Sequence, residues 1–422
     1  MNSRFYETAE ITSMNNKITI IDNLTETFNG PIVRSGLQKS SKLDARAFSR
    51  LGFDTTYIFC GNNEDSFYDY KKIRVDEFGA KDRAVREGKS PRQSAVYVKQ
   101  YLKRVQKELS ESDYIIAHCH SIGMITGLNN LVKDKNILFI IHDIIDYVWC
   151  LGFSGALNNL RISKRNNAKV LTNSRYSIDR QNAIFNRIED KEGLLSGDLA
   201  FDGYIDHFVW TDMIPTSEEI VSCGKTSAVI GRYESSKYHH KLYKYRNPEN
   251  VIVHYGIRDP RRDPDLKYYN KLISSANAYQ ENLSDEDLWS ALKSSQSIIL
   301  PCFHEGFGFT AFEAGIYGVI PVILTKPLEK SKPHQHATVE YLTRSEVKHF
   351  SADFGDEDEI FRQINESLNV TSEDRIEVSK NLLKYFTVEN YVNDRLEWLN
   401  SDSLHAQQMD EQIHSTLDDF FA

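Results

Sequence analysis

No apolar run in this 422-residue chain approaches the roughly 18–20 residues that a bilayer span requires. Its opening, Met-Asn-Ser-Arg-Phe-Tyr-Glu, lacks the apolar centre of a secretory signal. A cytoplasmic protein without a membrane span is therefore expected. Cysteine is scarce: the five residues Cys60, Cys119, Cys150, Cys223 and Cys302 are odd in number and form no C-x-x-C pair. That usage suits reduced thiols and argues against a disulfide frame. Metal-ligand spacings are also missing. No D-x-D or H-x-x-H cluster sits at a suitable strand end, and Asp263-Pro-Asp265 reads as a turn in a polar loop, so no metal is expected. Positive charge is in deficit overall: a net charge of -9 argues against general nucleic-acid coating, although a sum over the chain hides local asymmetry.

What is present is ordinary for a globular protein, with 40% hydrophobic and 26% charged residues. The length exceeds one typical core and suits two domains. Lys17-Ile-Thr-Ile-Ile-Asp22 reads as a first strand, and a polar loop containing Asn29-Gly30-Pro31 follows. A helix over about 37–51 ends at Gly52, a usual C′ residue, and 55–60 is the next strand. Further apolar strands over 114–120 and 136–143 end in polar residues, where open α/β sheets build their sites. Residues 168–174 and a helix from Arg175 close the first half, and the pattern breaks near Pro215. The expected division is 1–212, 213–400 and a polar tail over 401–422. In the second half, 251–256 is a strand, Ser284 is an N-cap for a helix through Leu288 and Leu292, and 350–369 and 387–399 read as helices.

The rest is organised around Pro301-Cys-Phe-His-Glu-Gly-Phe-Gly-Phe-Thr-Ala-Phe-Glu-Ala-Gly315. It follows a short apolar strand over 297–300, offers two glycines in a tight loop, and enters an apolar helix over 309–316. A strand-loop-helix unit of this kind aims backbone N–H groups at an anion above the helix start. Glu305 and Glu313 flank the loop, and carboxylates there are wasteful unless they bind hydroxyls. A sugar nucleotide supplies both phosphates and hydroxyls. The alternative is two surface acids on a plain βα unit.

Glu305-Gly-Phe-Gly-Phe-Thr-Ala-Phe-Glu313 resembles the E-x7-E signature of retaining glycosyltransferases with the GT-B fold, close to family 4. The resemblance implies an α/β protein of two Rossmann-like domains facing a cleft, with Glu305 on the donor sugar and Glu313 on the ribose. Gly306, Phe307 and Gly308 would line the donor loop. Gly231-Arg232, with Lys237 further on, resembles the G-R-x4-K element of the same enzymes, whose two cations clamp the donor diphosphate. Two cations there also suit a leaving pyrophosphate on physical grounds. At the end of 136–143, His142 would reach the donor sugar and Asp143 would position the acceptor hydroxyl. His118 and His120 end the neighbouring strand and are either site residues secondary to His142 or satisfied rim histidines. The loop after the first strand lacks the family's paired glycines, so Gly30 is a donor-phosphate contact, an acceptor contact or a plain turn. The resemblance implies retention without a metal or other cofactor, with a nucleotide diphosphate sugar, a UDP-sugar in particular, as co-substrate.

Two segments bear on the acceptor. Residues 71–107 carry twelve lysines and arginines against four acids, with Tyr97, Tyr101, Val105 and Leu109 at helical spacing toward a core. Lys99, Lys103 and Arg104 would then form a patch for a polyanion such as double-stranded DNA, or simply a solvated face. The tail ends in Leu417, Phe420 and Phe421 after a polar stretch. It resembles peptides by which DNA-replication proteins dock on a sliding clamp, with His414 where glutamine is common; a tail helix packed on the body is the alternative. The His142-Asp143 strand end also resembles the α-glucosyltransferases that T-even phages use on hydroxymethylcytosine. A phage DNA-base glycosyltransferase in the host cytoplasm is the first functional expectation. An enzyme of cell-envelope glycan, lipid or protein glycosylation is the second, and a catalytically dead binding module the third.

Overall fold

The computed structural model describes residues 16–22, 36–60, 64, 68–76, 100, 103–118, 135–142, 168–178, 201–207, 209, 215–221, 225–233, 237–242, 251–258, 266–276, 278–302, 305–325 and 336–401. The first sheet contains β1 (Lys17–Ile21), β2 (Asp54–Phe59), β3 (Lys71–Arg74), β4 (Tyr114–His118), β5 (Asn136–Ile140), β6 (Lys169–Thr172) and β7 (Gly203–Tyr204). Its order is β3-β2-β1-β4-β5-β6-β7. The second contains β8 (Thr226–Ile230), β9 (Val251–Gly256), β10 (Ala278–Glu281), β11 (Ser297–Leu300), β12 (Ile320–Thr325) and β13 (Phe350–Asp353), in the order β10-β9-β8-β11-β12-β13. Among the described residues every pairing is parallel, with Ile20 between Tyr57 and Ile116, and Ile299 between Val229 and Val322. Parallel strands are covered on both faces, which is why the central ones are nearly unbroken apolar runs.

Helices whose bounds lie wholly among the described residues include α1 (Gly36–Arg50), α2 (Ser217–Val221), α3 (Lys267–Ser275), α4 (Asp285–Lys293), α5 (Phe309–Ile316), α6 (Ala337–Arg344), α7 (Glu357–Ser367), α8 (Ser372–Tyr385) and α9 (Val388–Asn400). α1 buries Leu43, Ala47 and Phe48 on the first sheet and stops at Gly52, whose φ is 87°. Ser284 caps α4 as the sequence predicts, accepting from the Asp287 amide at 3.1 Å.

Four strands, β3, β7, β10 and β13, escape the sequence reading. β3, β7 and β10 are short, and β3 and β10 lie at sheet edges with half-exposed, polar sequences that carry no strand period. The first sheet therefore does not end with β6. Residues 350–353, expected as the start of a helix, pair with β12 instead. The helix there begins only at Glu357, after Asp356 accepts from the Glu359 amide at 3.0 Å.

α9 crosses back from the second half of the chain onto the first sheet. Its Arg395 Nε donates to Asp44 Oδ1 of α1 at 2.5 Å, and both side chains are fully buried. Trp398 fills the space over Gly203, where a Cβ would meet its ring at 2.5 Å. α6 is the seam between the two domains. Arg344 forks onto Asp206 at 3.0 and 2.8 Å, Tyr341 donates to the Asn173 and Ile205 carbonyls, and Glu340 accepts from the Arg175 and Tyr176 amides.

Candidate active site

In both sheets the strand order reverses beside the first strand, between β1 and β4 and between β8 and β11. Chain leaving these strands splays apart and opens a crevice at their carboxyl ends. The second domain delivers Arg232 after β8, Lys237 ahead of the short 3-10 turn His239–Leu242, and Glu305 after β11. Lys237 Nζ lies 3.2 Å from Glu305 Oε2 and 3.8 Å from Cys302 Sγ. The Glu305 carboxylate raises the Lys237 ammonium above its ordinary value, outweighing burial. Burial alone pushes Glu305 up, but Lys237, His336 and Arg232 together hold it below the usual carboxylate range. Lys237 and Arg232 both act electrostatically on this one carboxylate beside a helix start, an arrangement that suits a pyrophosphate.

The glycines of the loop are there for space. Gly308 has φ of +83°, and a Cβ on it would lie 2.4 Å from Thr338 Oγ1, which donates to the Phe307 carbonyl. A Cβ on Gly306 would lie 2.4 Å from Asn173 Nδ2 and 3.4 Å from the His142 carbonyl. This bare backbone lets the second domain's loop touch the ends of β5 and β6 in the first. Phe307 is only 2% exposed and stacks on Phe312 with ring centres 4.4 Å apart, so its side chain is core and a donor is left with its backbone. Glu313 is buried in α5 and ion-pairs across the crevice with Lys39 of α1. Lys39 carries no signal in the sequence; only the approach of the two domains brings it to the site.

His142 follows β5 at the crevice and is 8% exposed. Its Nε2 lies 3.0 Å from His118 Nδ1, and its ring stacks on His207 at 5.0 Å. His207 meets Phe307 of the donor loop at 5.1 Å. Behind His118, its Nε2 lies 2.8 Å from Asp44 Oδ2, and Asp44 is held by Arg395. Burial, then His207, His118 and Arg395, push His142 well below its usual range, and burial with Arg395 takes His207 down to about 3. His118, expected at the rim, is instead fully buried behind His142, and His207 and Asp44 carry no sequence signal because their partners lie far along the chain.

Gly30, Asp143, Lys99, Leu417, Phe420 and Phe421 lie outside the described residues, as do Tyr97, Tyr101 and His120. Lys103 and Arg104 are exposed on a helix over 103–111 that buries Val105 and Leu109, as the spacing predicts. Part of the basic segment is neutralised: Lys71 holds Glu108 at 2.5 Å, and Arg74 holds Asp76. The end of that helix sits by Lys17, at the amino end of β1 and on the side opposite the crevice.

No family model and no curated protein matches the sequence. Solved structures match its fold. An α,α-trehalose-phosphate synthase (UDP-forming) from Burkholderia xenovorans, in complex with glucose-6-phosphate, aligns with a TM-score of 0.62 at 10% identity, over 91% of this chain and 100% of that one. The catalytic domain of starch synthase IV from Arabidopsis thaliana, bound to ADP and acarbose, gives 0.57 at 13% identity, over 94% and 98%. The lipopolysaccharide outer core galactosyltransferase WaaB gives 0.54 at 15% identity, over 91% and 99%. The chain thus has the GT-B fold, two Rossmann-like parallel-sheet domains facing one crevice.

Proposed function

We propose that the protein is a retaining glycosyltransferase that moves a sugar from a nucleotide diphosphate sugar, a UDP-sugar in the first instance, to an acceptor hydroxyl. The observation that carries this reading is the convergence of Lys237, Glu305, the Gly306 turn and His142 in one crevice. Lys237 and Arg232 stabilise the departing diphosphate, Glu305 and His142 orient the sugar, and Glu313 takes the ribose. The bond from the anomeric carbon to the phosphate oxygen breaks as that carbon bonds the acceptor oxygen on the same face. The acceptor proton passes to the leaving phosphate oxygen, and Asp143 positions the incoming hydroxyl. No metal enters this scheme.

For the acceptor, we favour the hydroxymethyl group of cytosine in phage DNA. The exposed Lys103 and Arg104 and the tail sequence support it. Such an enzyme extrudes its base and gains affinity from phosphate contacts, with Lys99, Lys103 and Arg104 as candidates and the Leu417, Phe420 and Phe421 peptide docking on a sliding clamp. A second reading, transfer to a cell-envelope glycan, lipid or protein, is favoured by the likeness to WaaB and by the paired state of Lys71 and Arg74.

The test is incubation of the full chain with a panel of sugar nucleotides and hydroxymethylated duplex DNA, followed by mass analysis of the digested nucleosides. A hexose added to the cytosine nucleoside, with yield falling steeply as salt rises, supports the first acceptor. Sugar-nucleotide turnover with no mark on the DNA excludes it. Removal of residues 417–422 is expected to abolish clamp binding while sparing transfer to short oligonucleotides.

A further inference from the structure

The crevice histidine is backed by a buried polar relay that the proposed chemistry does not by itself require. Asp44 of α1, His118 at the end of β4 and His142 after β5 touch in series, at 2.8 and then 3.0 Å. Asp44 and His118 are fully buried, so neither meets a substrate. Their arrangement has a definite polarity. Burial pushes the Asp44 carboxyl up, but Arg395 and His118 overcome this and hold it at about 2, so it is a carboxylate over any working pH. An ionised carboxylate only accepts, which places a proton on the facing Nε2 of His118.

Arg395 holds the other oxygen of Asp44, so Oδ2 is left to face His118, and a single ring proton on His118 belongs on Nε2. The other ring nitrogen of His118, Nδ1, is then the acceptor, and Nε2 of His142 is the donor. His142 is left with its lone pair on Nδ1. The remaining neighbours do not oppose this order. His207 lies flat against the His142 ring, with its own Nδ1 3.3 Å from Ser40 Oγ, and Phe307 of the donor loop meets His207 rather than the relay.

We infer that Asp44 and His118 are positioning residues that lock His142 in the Nε2-protonated tautomer, so that it presents Nδ1 as a hydrogen-bond acceptor for a sugar hydroxyl. The sugar contact rests on the glycosyltransferase reading above; the tautomer lock does not. A carboxylate holding a histidine ring through its far nitrogen is a general way to fix which nitrogen carries the proton. Here one further imidazole is interposed, and the carboxylate is pinned by a helix from the far end of the chain.

The experiment uses the full chain labelled with 15N-histidine, with the His142 ring resonances identified by their loss in His142→Gln. Wild type is expected to show one His142 tautomer, protonated at Nε2 and bare at Nδ1. His118→Phe keeps the packing volume but removes the acceptor, and His142 is expected to populate both tautomers. His118→Asn offers an amide oxygen near the position of Nδ1 and is expected to restore the single form. With the first sugar nucleotide of the panel that turns over, kcat is expected to fall at least tenfold in His118→Phe while donor KM stays within about threefold, and to recover in His118→Asn. A His142 tautomer unchanged by His118→Phe overturns the inference, whatever the activity. Wild type that turns over no sugar nucleotide defeats the functional reading, and the resonance measurement still decides the lock.

Discussion

Lys39, on α1 of the first domain, holds its ammonium against the Glu313 carboxylate in α5 of the second. The pair ties the two sides of the crevice at the place where a ribose is expected. Glu313 is largely buried while Lys39 is well exposed, so removal of the cation strands a carboxylate that solvent reaches poorly. Lys39→Met is therefore expected to lower stability, and Lys39→Met with Glu313→Gln to regain most of the loss. A double-mutant cycle by chemical denaturation should return a coupling of about 1–3 kcal/mol. Additive single effects would show that the contact contributes nothing.

Lys237→Ala is expected to reduce turnover by about 10²–10³, the usual loss when one preorganised charge facing the leaving group is removed, and Arg232→Ala by a similar factor. A pH effect accompanies the first. Lys237 is the main group holding Glu305 below the usual carboxylate range, against burial. Without it Glu305 takes up its proton at a higher pH, so the acid limb of the rate profile moves upward. A profile that keeps its acid limb would contradict the role given to this pair.

Alanine at either loop glycine should be poorly tolerated, for different reasons. At Gly308 it is strained by a φ of +83° and collides with Thr338, at a cost of about 1–3 kcal/mol visible in thermal unfolding. At Gly306 the methyl group meets Asn173 of the other domain. The expected result there is a larger loss of turnover than of melting temperature, because the domains are held apart while each stays folded. Equal stability and activity in Gly306→Ala would mean that the close approach is dispensable.

Arg395→Met leaves the fully buried Asp44 without its main partner, and loss of about 3–5 kcal/mol is expected. The same pair sets an acid limit in the wild type. Asp44 falls from an ordinary 3.8 to about 2 in the folded state, so its contribution is fully present above about pH 4 and is lost as pH falls toward 2. Melting temperatures measured from pH 5 to pH 2 should show this slope in the wild type and a much weaker one in Arg395→Met.

The buried His207 acts in a higher range. Its value drops from 6.5 to about 3 on folding, mainly through burial and Arg395, so the unfolded chain binds a proton that the folded one refuses. Its share of stability is complete above pH 6.5 and declines as pH falls toward 3. His207→Phe is expected to flatten the dependence of stability on pH between 6 and 4. An identical slope in that variant would place the proton uptake elsewhere.

The parallel sheets were legible because β1, β4, β5 and β11 are apolar runs ended by polar residues. Glu305, Gly306, Gly308 and Glu313 were legible because a strand, a glycine loop and a helix confine them to fifteen consecutive residues. β3 and β10 were not, since edge strands need no apolar run. Nor was the return of α9, whose apolar pattern says that it packs but not on which domain. The site histidines show the same boundary. His142 was visible at a strand end, whereas Asp44, His118, His207 and Arg395 are spread over some 350 positions and meet only after parallel crossovers align the strand ends. Local order along the chain determined the elements and the donor loop. The pairing of charges inside the crevice was decided by which faces the two domains bury against each other, and no local pattern encodes that.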